Sequence, residues 1–266
     1  MRILVVGDVV GQPGRRILRR RLPDLISEQS AELVVVNGEN AAGGAGLTPA
    51  TAKALFRAGA DVITTGNHVW DRGEIGPLLE GDNRVLRPAN YPDPAPGGGV
   101  CLLQARDGTP AAVINLMGRV FMRNIDDPFR VADEILRELA ERCRVIVVDF
   151  HAEATSEKIA IGWYLDGRVT AVVGTHTHVT TADQRILPGG TAYITDVGMT
   201  GPFDSVIGVE KKNVLDRFLT QRPSRLTTAT EDVRLSAVVI ETSPTDDRAI
   251  AIDRIQLRDS GSEVEE

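Results

Sequence analysis

The sequence predicts an α/β fold with a sheet that is at least partly parallel, and three observations carry that expectation. Short, continuous apolar runs alternate with stretches of helical periodicity, the pattern of strands covered on their faces by helices. A turn of hairpin composition interrupts this pattern midway. The runs ILVV, LVVV, VITT, VIVV and AVV each lead into acids, amides or histidines, and in an open sheet ligands collect beyond the carboxyl ends of the strands.

Residues 2–6 read as a buried strand, β-branched and stopped by Gly7, and Pro13 with Gly14 introduces a helix over about residues 15–28. Residues 33–36 form a second strand. Thr48 then caps a helix with Pro49 at its first position and Gly59 at its close, ahead of a third strand over 62–65. Residues 100–105 and 111–116 flank Asp107 and Gly108, which favour a tight antiparallel turn. Pro128 starts a helix in which Val131, Ile135, Leu136 and Leu139 repeat at helical spacing, leading into a strand over 145–150. A helix near 156–165, ended by Gly167, precedes a strand over 169–173. Further strands are expected around Ala192, over 235–241 and over 249–257, with a helix near 211–221. There is no internal repeat.

A chain of 266 residues that is 42% apolar can bury a sizeable core. One domain over residues 1–258 is expected. The Pro- and Gly-rich stretch 87–99 is the only linker-like segment, and a boundary there would split ligand-type residues between two units. Residues 259–266 are expected to be a disordered acidic tail. The formal charge of −7 argues against bulk nucleic-acid binding, which needs a basic surface to release counterions. Any anionic partner must be held locally. Residues 15–21 hold five arginines, read first as a solvated helix face and second as an anion-steering patch. Cys101 and Cys143 have no paired spacing and suit a reducing compartment. No apolar run approaches the roughly 20 residues of a membrane span, and the N-terminal segment turns polar too early for a signal peptide. No membrane partner and a cytoplasmic location are therefore expected.

The candidate site is read residue by residue. Asp8 follows a buried strand, where an ionised carboxylate is costly unless paired, hydrogen-bonded or metal-bound; a turn or helix cap is its plainer role. Glu39 and Asn40 lie in NGENAAGGAG, a glycine-rich loop that permits close backbone approach. A phosphate cradle is the rival reading, but GxGxxG and the Walker A pattern are both missing. Asn67 can ligate through its amide oxygen while His68 points elsewhere. In GTHTH, residues two apart on an extended segment face the same side, so His176 and His178 can enter one crevice. His151, ending another apolar run, adds a third imidazole. Asp8, Glu39, Asn40, Asn67, His151, His176 and His178 exceed the needs of one tetrahedral zinc. Two metal ions fit better, and the mixed oxygen and nitrogen set suits Fe, Mn or Zn.

The order of Asp, GEN, GNH, a lone His and GTHTH resembles the calcineurin-like metallophosphoesterases, and within them the bacterial YmdB-type branch. The likeness runs through GDVVGxPGR, NGENAA, GNHxWD, RPAN, DFHAEATSEK, VVGTHTHV and TDVGMTGP, almost the whole chain. Where the wider superfamily has a histidine two residues after its first Asp, this chain has Val10, and where it has an aspartate, this chain has Glu39. The YmdB-like pattern implies that Asn40 fills the gap. The resemblance implies a four-layer αββα sandwich of two mixed sheets with flanking helices. It implies one metal on Asp8, Asn40 and His178, a second on Asn67, His151 and His176, and Glu39 bridging them. Two divalent or mixed-valence ions, Fe or Mn ahead of Zn, are expected.

The implied activity is that of a phosphodiesterase acting on a small-molecule phosphodiester, with 2',3'- or 3',5'-cyclic mononucleotides expected. A metal-bridging hydroxide would attack phosphorus, and His68, not needed as a ligand, would protonate the leaving alkoxide. A metal-dependent regulatory nucleotide-binding protein with little turnover is the alternative, kept open by Val10; a phosphomonoesterase or nuclease is another. Arg72, Arg119 and residues 43–46 are candidates for orienting substrate, with structural roles favoured. Tyr164 and Phe121 are candidates for stacking a base, with core packing favoured. The sequence is silent on assembly and leaves a homo-oligomer open.

Overall fold

A computed structural model describes residues 1–140 and 142–259; from residue 260 on, the expected acidic tail lies outside the described residues. The chain opens with β1 (Arg2–Val6), α1 (Gly11–Gln29), β2 (Leu33–Asn37), α2 (Pro49–Ala58), β3 (Val62–Thr64) and α3 (Ile75–Gly81). It continues with β4 (Val100–Gln104), β5 (Pro110–Met117), α4 (Pro128–Leu139), β6 (Val145–His151), α5 (Thr155–Leu165) and β7 (Ala171–Thr175). The last third holds β8 (Arg185–Ile186), β9 (Ala192–Ile194), β10 (Gly201–Pro202), α6 (Lys211–Thr220), β11 (Val233–Thr242) and β12 (Ala249–Arg258).

These strands form two mixed sheets. In the first, β1 runs parallel to β2 and β2 to β3, while β11 pairs antiparallel with β1, β10 and β12. In the second, β5, β6, β7 and β9 are parallel, and β4 and β8 pair antiparallel at the two edges. The alternation of side chains along each strand decides what the sheets cover. Ile3, Val5, Leu33, Val35 and Val238 meet Val113, Val147, Ala171, Val173 and Ile194 in a core between the sheets. The intervening residues Leu4, Val6, Val34 and Val36 face outward onto Ile17, Leu18 and Leu22 of α1 and Leu55 of α2. On the other side Ile114, Ile146, Val148 and Val172 pack on Ala132 and Leu139 of α4 and Ile161 and Leu165 of α5. The result is helices, sheet, sheet, helices, the expected four layers.

Local chemistry places the elements closely, with informative departures. Thr48 caps α2 through a reciprocal pair of bonds with Thr51, and Gly59 ends it at φ 118°. The turn between β4 and β5 holds Gly108 at φ 86°, with Thr109 N–H donating to Asp107 Oδ1 at 2.9 Å. Helix α1 starts at Gly11 rather than near residue 15, because Pro13 sits in the first turn, where its missing N–H costs nothing. Helix α3 is not legible in the sequence: Gly76 and Pro77 in its first turn resemble loop punctuation. Among the described residues no helix is long and apolar enough to cross a membrane.

Candidate metal centre

Five strand ends deliver the candidate ligands to one place, three from the first sheet and two from the second. Asp8 follows β1, Glu39 and Asn40 follow β2, Asn67 and His68 follow β3, His151 ends β6, and His176 and His178 follow β7. Glu39, His151 and His176 place one donor atom each within 4.8 Å of one another. Glu39 Oε1 stands 3.0 Å from His151 Nε2 and 3.2 Å from Asn40 Nδ2. On one side of it, His151 Nε2 lies 3.0 Å from Asn67 Oδ1 and 3.1 Å from His176 Nδ1. On the other, Asn40 Nδ2 lies 3.1 Å from His178 Nε2, which is 3.9 Å from Asp8 Oδ1. All seven residues expected as ligands therefore meet around Glu39. The crevice is formed by the rims of two facing sheets rather than by the end of one.

Each imidazole has one nitrogen held from behind and the other turned to the centre. His178 Nδ1 donates to Ile207 O at 2.8 Å, His176 Nε2 is 2.9 Å from Glu153 Oε2, and His151 Nδ1 is 2.9 Å from Thr175 Oγ1. Such outer partners fix ring orientation, as they do for metal-ligating histidines. The GTHTH turn reaches this arrangement differently from the extended geometry expected. His176 and His178 adopt left-handed φ of 101° and 66°, an unfavourable backbone for residues with a Cβ that persists where surrounding bonds over-determine it. Those bonds are present: His176 N–H donates to Asp8 Oδ2 at 3.2 Å, and Thr177 N–H to Asp196 Oδ2 at 3.1 Å. Asp196 in turn pairs at 2.5 Å with Lys158, buried like itself, whose ammonium also donates to Thr175 O at 2.6 Å.

Electrostatics describe a centre short of positive charge. Burial raises the Asp8 pKa to about 6 against the pull of His178 and His151, and its Oδ1 has no hydrogen-bond partner among the described residues. A buried carboxylate oxygen without a donor is a costly arrangement that a cation relieves. Burial opposes charge on both Glu39 and His151, but their mutual attraction outweighs it, holding Glu39 down at about 2 and pushing His151 up to about 9. Burial, reinforced by His151, lowers His176 to about 4. The close approach also depends on Gly66, where a Cβ would overlap the His151 ring and Glu39 Oε2. The orphaned Asp8 oxygen, the converging donors and the glycine that makes room for them together fit a metal centre.

Several participants escape a reading of the sequence. Beneath His151 lies buried Asp149, which accepts from Thr64 Oγ1, from Asn37 Nδ2 at 3.1 Å and from Thr175 Oγ1 at 2.7 Å, tying the two sheets together. An acid inside the apolar run VIVVDF is its available signal. His68 keeps its ring outside the cluster: its backbone N–H donates to Glu39 Oε2 at 3.2 Å while Nδ1 lies 2.7 Å from Asp71 Oδ2. It lines both a cavity of about 530 Å³ shared with Glu39, Asn40, His176 and His178 and one of about 430 Å³ shared with Asn67, Phe121, Arg123 and His176.

The secondary candidates divide. Arg72 donates to Ala45 O at 2.9 Å and Ala42 O at 2.5 Å, so it clamps the glycine loop in which Gly43, Gly44 and Gly46 take left-handed φ. Arg119 pairs with Asp127 at 2.6 Å. Arg15 donates to Ala41 O, while Arg16 and Arg19 lie exposed beside Lys53 and Arg57. Core packing, expected for Phe121 and Tyr164, is overturned for both. Tyr164 is 42% exposed, with its hydroxyl donating to Asp133, and Phe121 is 89% exposed; Phe121 sits in a surface loop and Tyr164 on the solvent face of α5.

Known proteins resemble this chain along nearly its full length. Residues 4–255 match the family model described as YmdB-like protein. The 2',3'-cyclic-nucleotide 2'-phosphodiesterase of Bacillus subtilis (strain 168) is 51% identical over 259 residues, covering 97% of this chain and 98% of its own. A crystal structure of a protein from Thermus thermophilus superposes with a TM-score of 0.91 at 44% identity, covering 97% of this chain and 99% of that one. The crystal structure of a phosphatase from Mycoplasma pneumoniae gives a TM-score of 0.91 at 34% identity, with 97% and 93% covered.

Proposed function

The chain belongs to the YmdB-like protein family, and from that premise we propose that it is a metal-dependent phosphodiesterase acting on small phosphodiesters, cyclic nucleotides foremost. The observation that carries this reading is the convergence of Asp8, Asn40, Asn67, His151, His176 and His178 on Glu39, with the buried Asp8 Oδ1 lacking a hydrogen-bond partner among the described residues. Likeness to a curated cyclic-nucleotide phosphodiesterase supports the substrate class. Asp8, Asn40 and His178 would hold one ion, Asn67, His151 and His176 a second, with Glu39 between them. Two cations, Fe or Mn ahead of Zn, would neutralise phosphoryl oxygens and activate water when bound.

The chain's own residues supply the rest. His68 lies in the cavity wall without being needed as a ligand, and Asp71 holds its Nδ1. That leaves Nε2 to deliver a proton to the departing alkoxide, a role worth about 10²–10⁴-fold. Glu153, at the back of His176, and Ile207 O, at the back of His178, keep those rings aimed inward. Two buried thiols without a disulfide fit the cytoplasmic location expected of such an enzyme.

The test is His68→Ala measured for metal content and for turnover of 2',3'-cyclic AMP, 3',5'-cyclic AMP, a linear diester and a monoester. The expected result is wild-type metal content with turnover of the cyclic diester lowered by about 10²–10⁴-fold. Loss of metal in this variant would overturn the role of His68. Absence of any diester turnover by the metal-loaded wild type would favour the regulatory nucleotide-binding reading that Val10 keeps open.

A further inference from the structure

Phe121 combines two unfavourable features at the mouth of the candidate centre. Its side chain is 89% exposed, against the tendency of so large an apolar group to leave water. Its backbone is left-handed, at φ 63°, where a bulky residue is a genuine outlier. Strain of this kind persists only where neighbours over-determine it, and it clusters at ligand clamps.

The surrounding bonds make the segment a rigid bracket. Gly118 N–H donates to His151 O at 3.0 Å, tying the bracket to the strand end that carries a candidate ligand. The Arg119 and Val120 N–H groups donate to the buried carboxylate of Glu157 on α5, at 2.9 and 3.3 Å. A Cβ at Gly118 would overlap that carboxylate, so the bracket is seated as closely as its backbone allows. Met122 N–H closes the turn on Arg119 O at 3.2 Å. Phe121, Met122 and Arg123 then form one wall of the cavity of about 430 Å³ whose other wall is Asn67, His68, Asp71 and His176.

We infer that Phe121 is the platform on which the nucleobase of the substrate stacks while its phosphodiester lies against Asn67, His68 and His176. This rests on the phosphodiesterase reading above and deepens it, because it assigns the base end of a cyclic nucleotide to a defined surface. An aromatic face accepts any base, purines more strongly than pyrimidines through their larger overlap. On the glycine-loop side of the centre, no Phe, Tyr or Trp among the described residues lines the cavity of about 530 Å³, whose larger apolar lining residues are Val10, Ile207, Val209 and Leu226.

The experiment compares 2',3'-cyclic AMP with glycerol 1,2-cyclic phosphate, the same strained diester without a base, in the metal-loaded wild type and in Phe121→Ala, Phe121→Leu and Phe121→Trp. The expected result is that the preference in kcat/KM for the nucleotide over the glycerol ester falls about ten-fold in Phe121→Ala and Phe121→Leu, with the loss in KM, and is kept in Phe121→Trp. An unchanged preference in Phe121→Ala, an equal loss on both esters, or full retention by Phe121→Leu overturns the inference. Gel filtration of each variant identifies the case in which Phe121 instead holds two copies of the chain together; a change of assembly with unchanged preference also overturns it. If the wild type turns over neither ester, the phosphodiesterase reading fails, and calorimetric titration with 2',3'-cyclic AMP still decides this one. Weaker binding by Phe121→Ala keeps the platform, and equal binding ends it.

Discussion

Replacing Lys158 with methionine tests whether the backbone of the GTHTH turn is held in its unfavourable conformation by charge. The ammonium is 1% exposed and Asp196 is fully buried; their contact is 2.5 Å, and Lys158 is also the donor to Thr175 O at 2.6 Å. Methionine matches the length of the aliphatic stem but leaves the Asp196 carboxylate without a counter-charge. Removing one partner of a buried pair costs about 3–5 kcal/mol, largely from the charge left behind. Set against total stabilities of roughly 5–15 kcal/mol, such a loss is measurable by urea unfolding of the metal-free protein at pH 7. An unchanged slope with a lower midpoint is expected. Adding Asp196→Asn to Lys158→Met removes the orphaned charge and keeps one amide oxygen as acceptor for one of the Thr177 and Gly198 N–H groups, which now donate to separate carboxylate oxygens, so part of the stability should return. A loss under about 1 kcal/mol, far below the usual cost of breaking a buried pair, or a double variant less stable than the single one, would refute the reasoning.

Four further outcomes are expected. In Gly66→Ala the added methyl group occupies the space of the His151 ring, so a folded variant should lose bound metal by elemental analysis while its far-ultraviolet circular dichroism stays that of the wild type. In the metal-free protein the raised His151 pKa adds stability that is complete below its ordinary 6.5 and is lost as pH rises through about 9, whereas the lowered Glu39 pKa adds stability that is complete above its ordinary 4.5 and is lost as pH falls towards about 2. Denaturant unfolding across pH should show both flanks, and Glu39→Gln should flatten the alkaline one. Metal uptake at pH 7 should release protons, because ligation requires the neutral imidazole of His151; calorimetry in two buffers of different ionisation enthalpy measures the number. Cys101, 1% exposed with its thiol pushed up to about 11 by burial, should resist a thiol reagent in the native state and react on unfolding.

The sequence makes the strand ends legible because burial on both faces demands unbroken apolar runs, and an acid, amide or histidine placed directly after one stands out. Asp8, Glu39, Asn40, Asn67, His151, His176 and His178 are all visible by this rule, and the structure brings them together. The rule fails where polarity is hidden by context. Lys158 belongs to a helix that could have turned it to solvent, and only the fold reveals that it points between α5 and β7 onto Asp196. Phe121 presents the opposite difficulty: aromaticity predicts burial, and the bonds that hold it outward come from Glu157, distant in sequence. The backbone of His176 and His178 is also beyond reach, since spacing of two residues describes an extended segment and a left-handed turn equally well.

That the donors ride on separate sheets has a mechanical consequence. Asp8, Glu39 and Asn67 belong to one plate and His151, His176 and His178 to the other, and the thickness of the apolar filling between the plates sets how far apart the jaws stand. Trimming a valine such as Val147, fully buried in that filling, would let the plates settle together and alter the gap at the rim. Chemistry here is gauged from below.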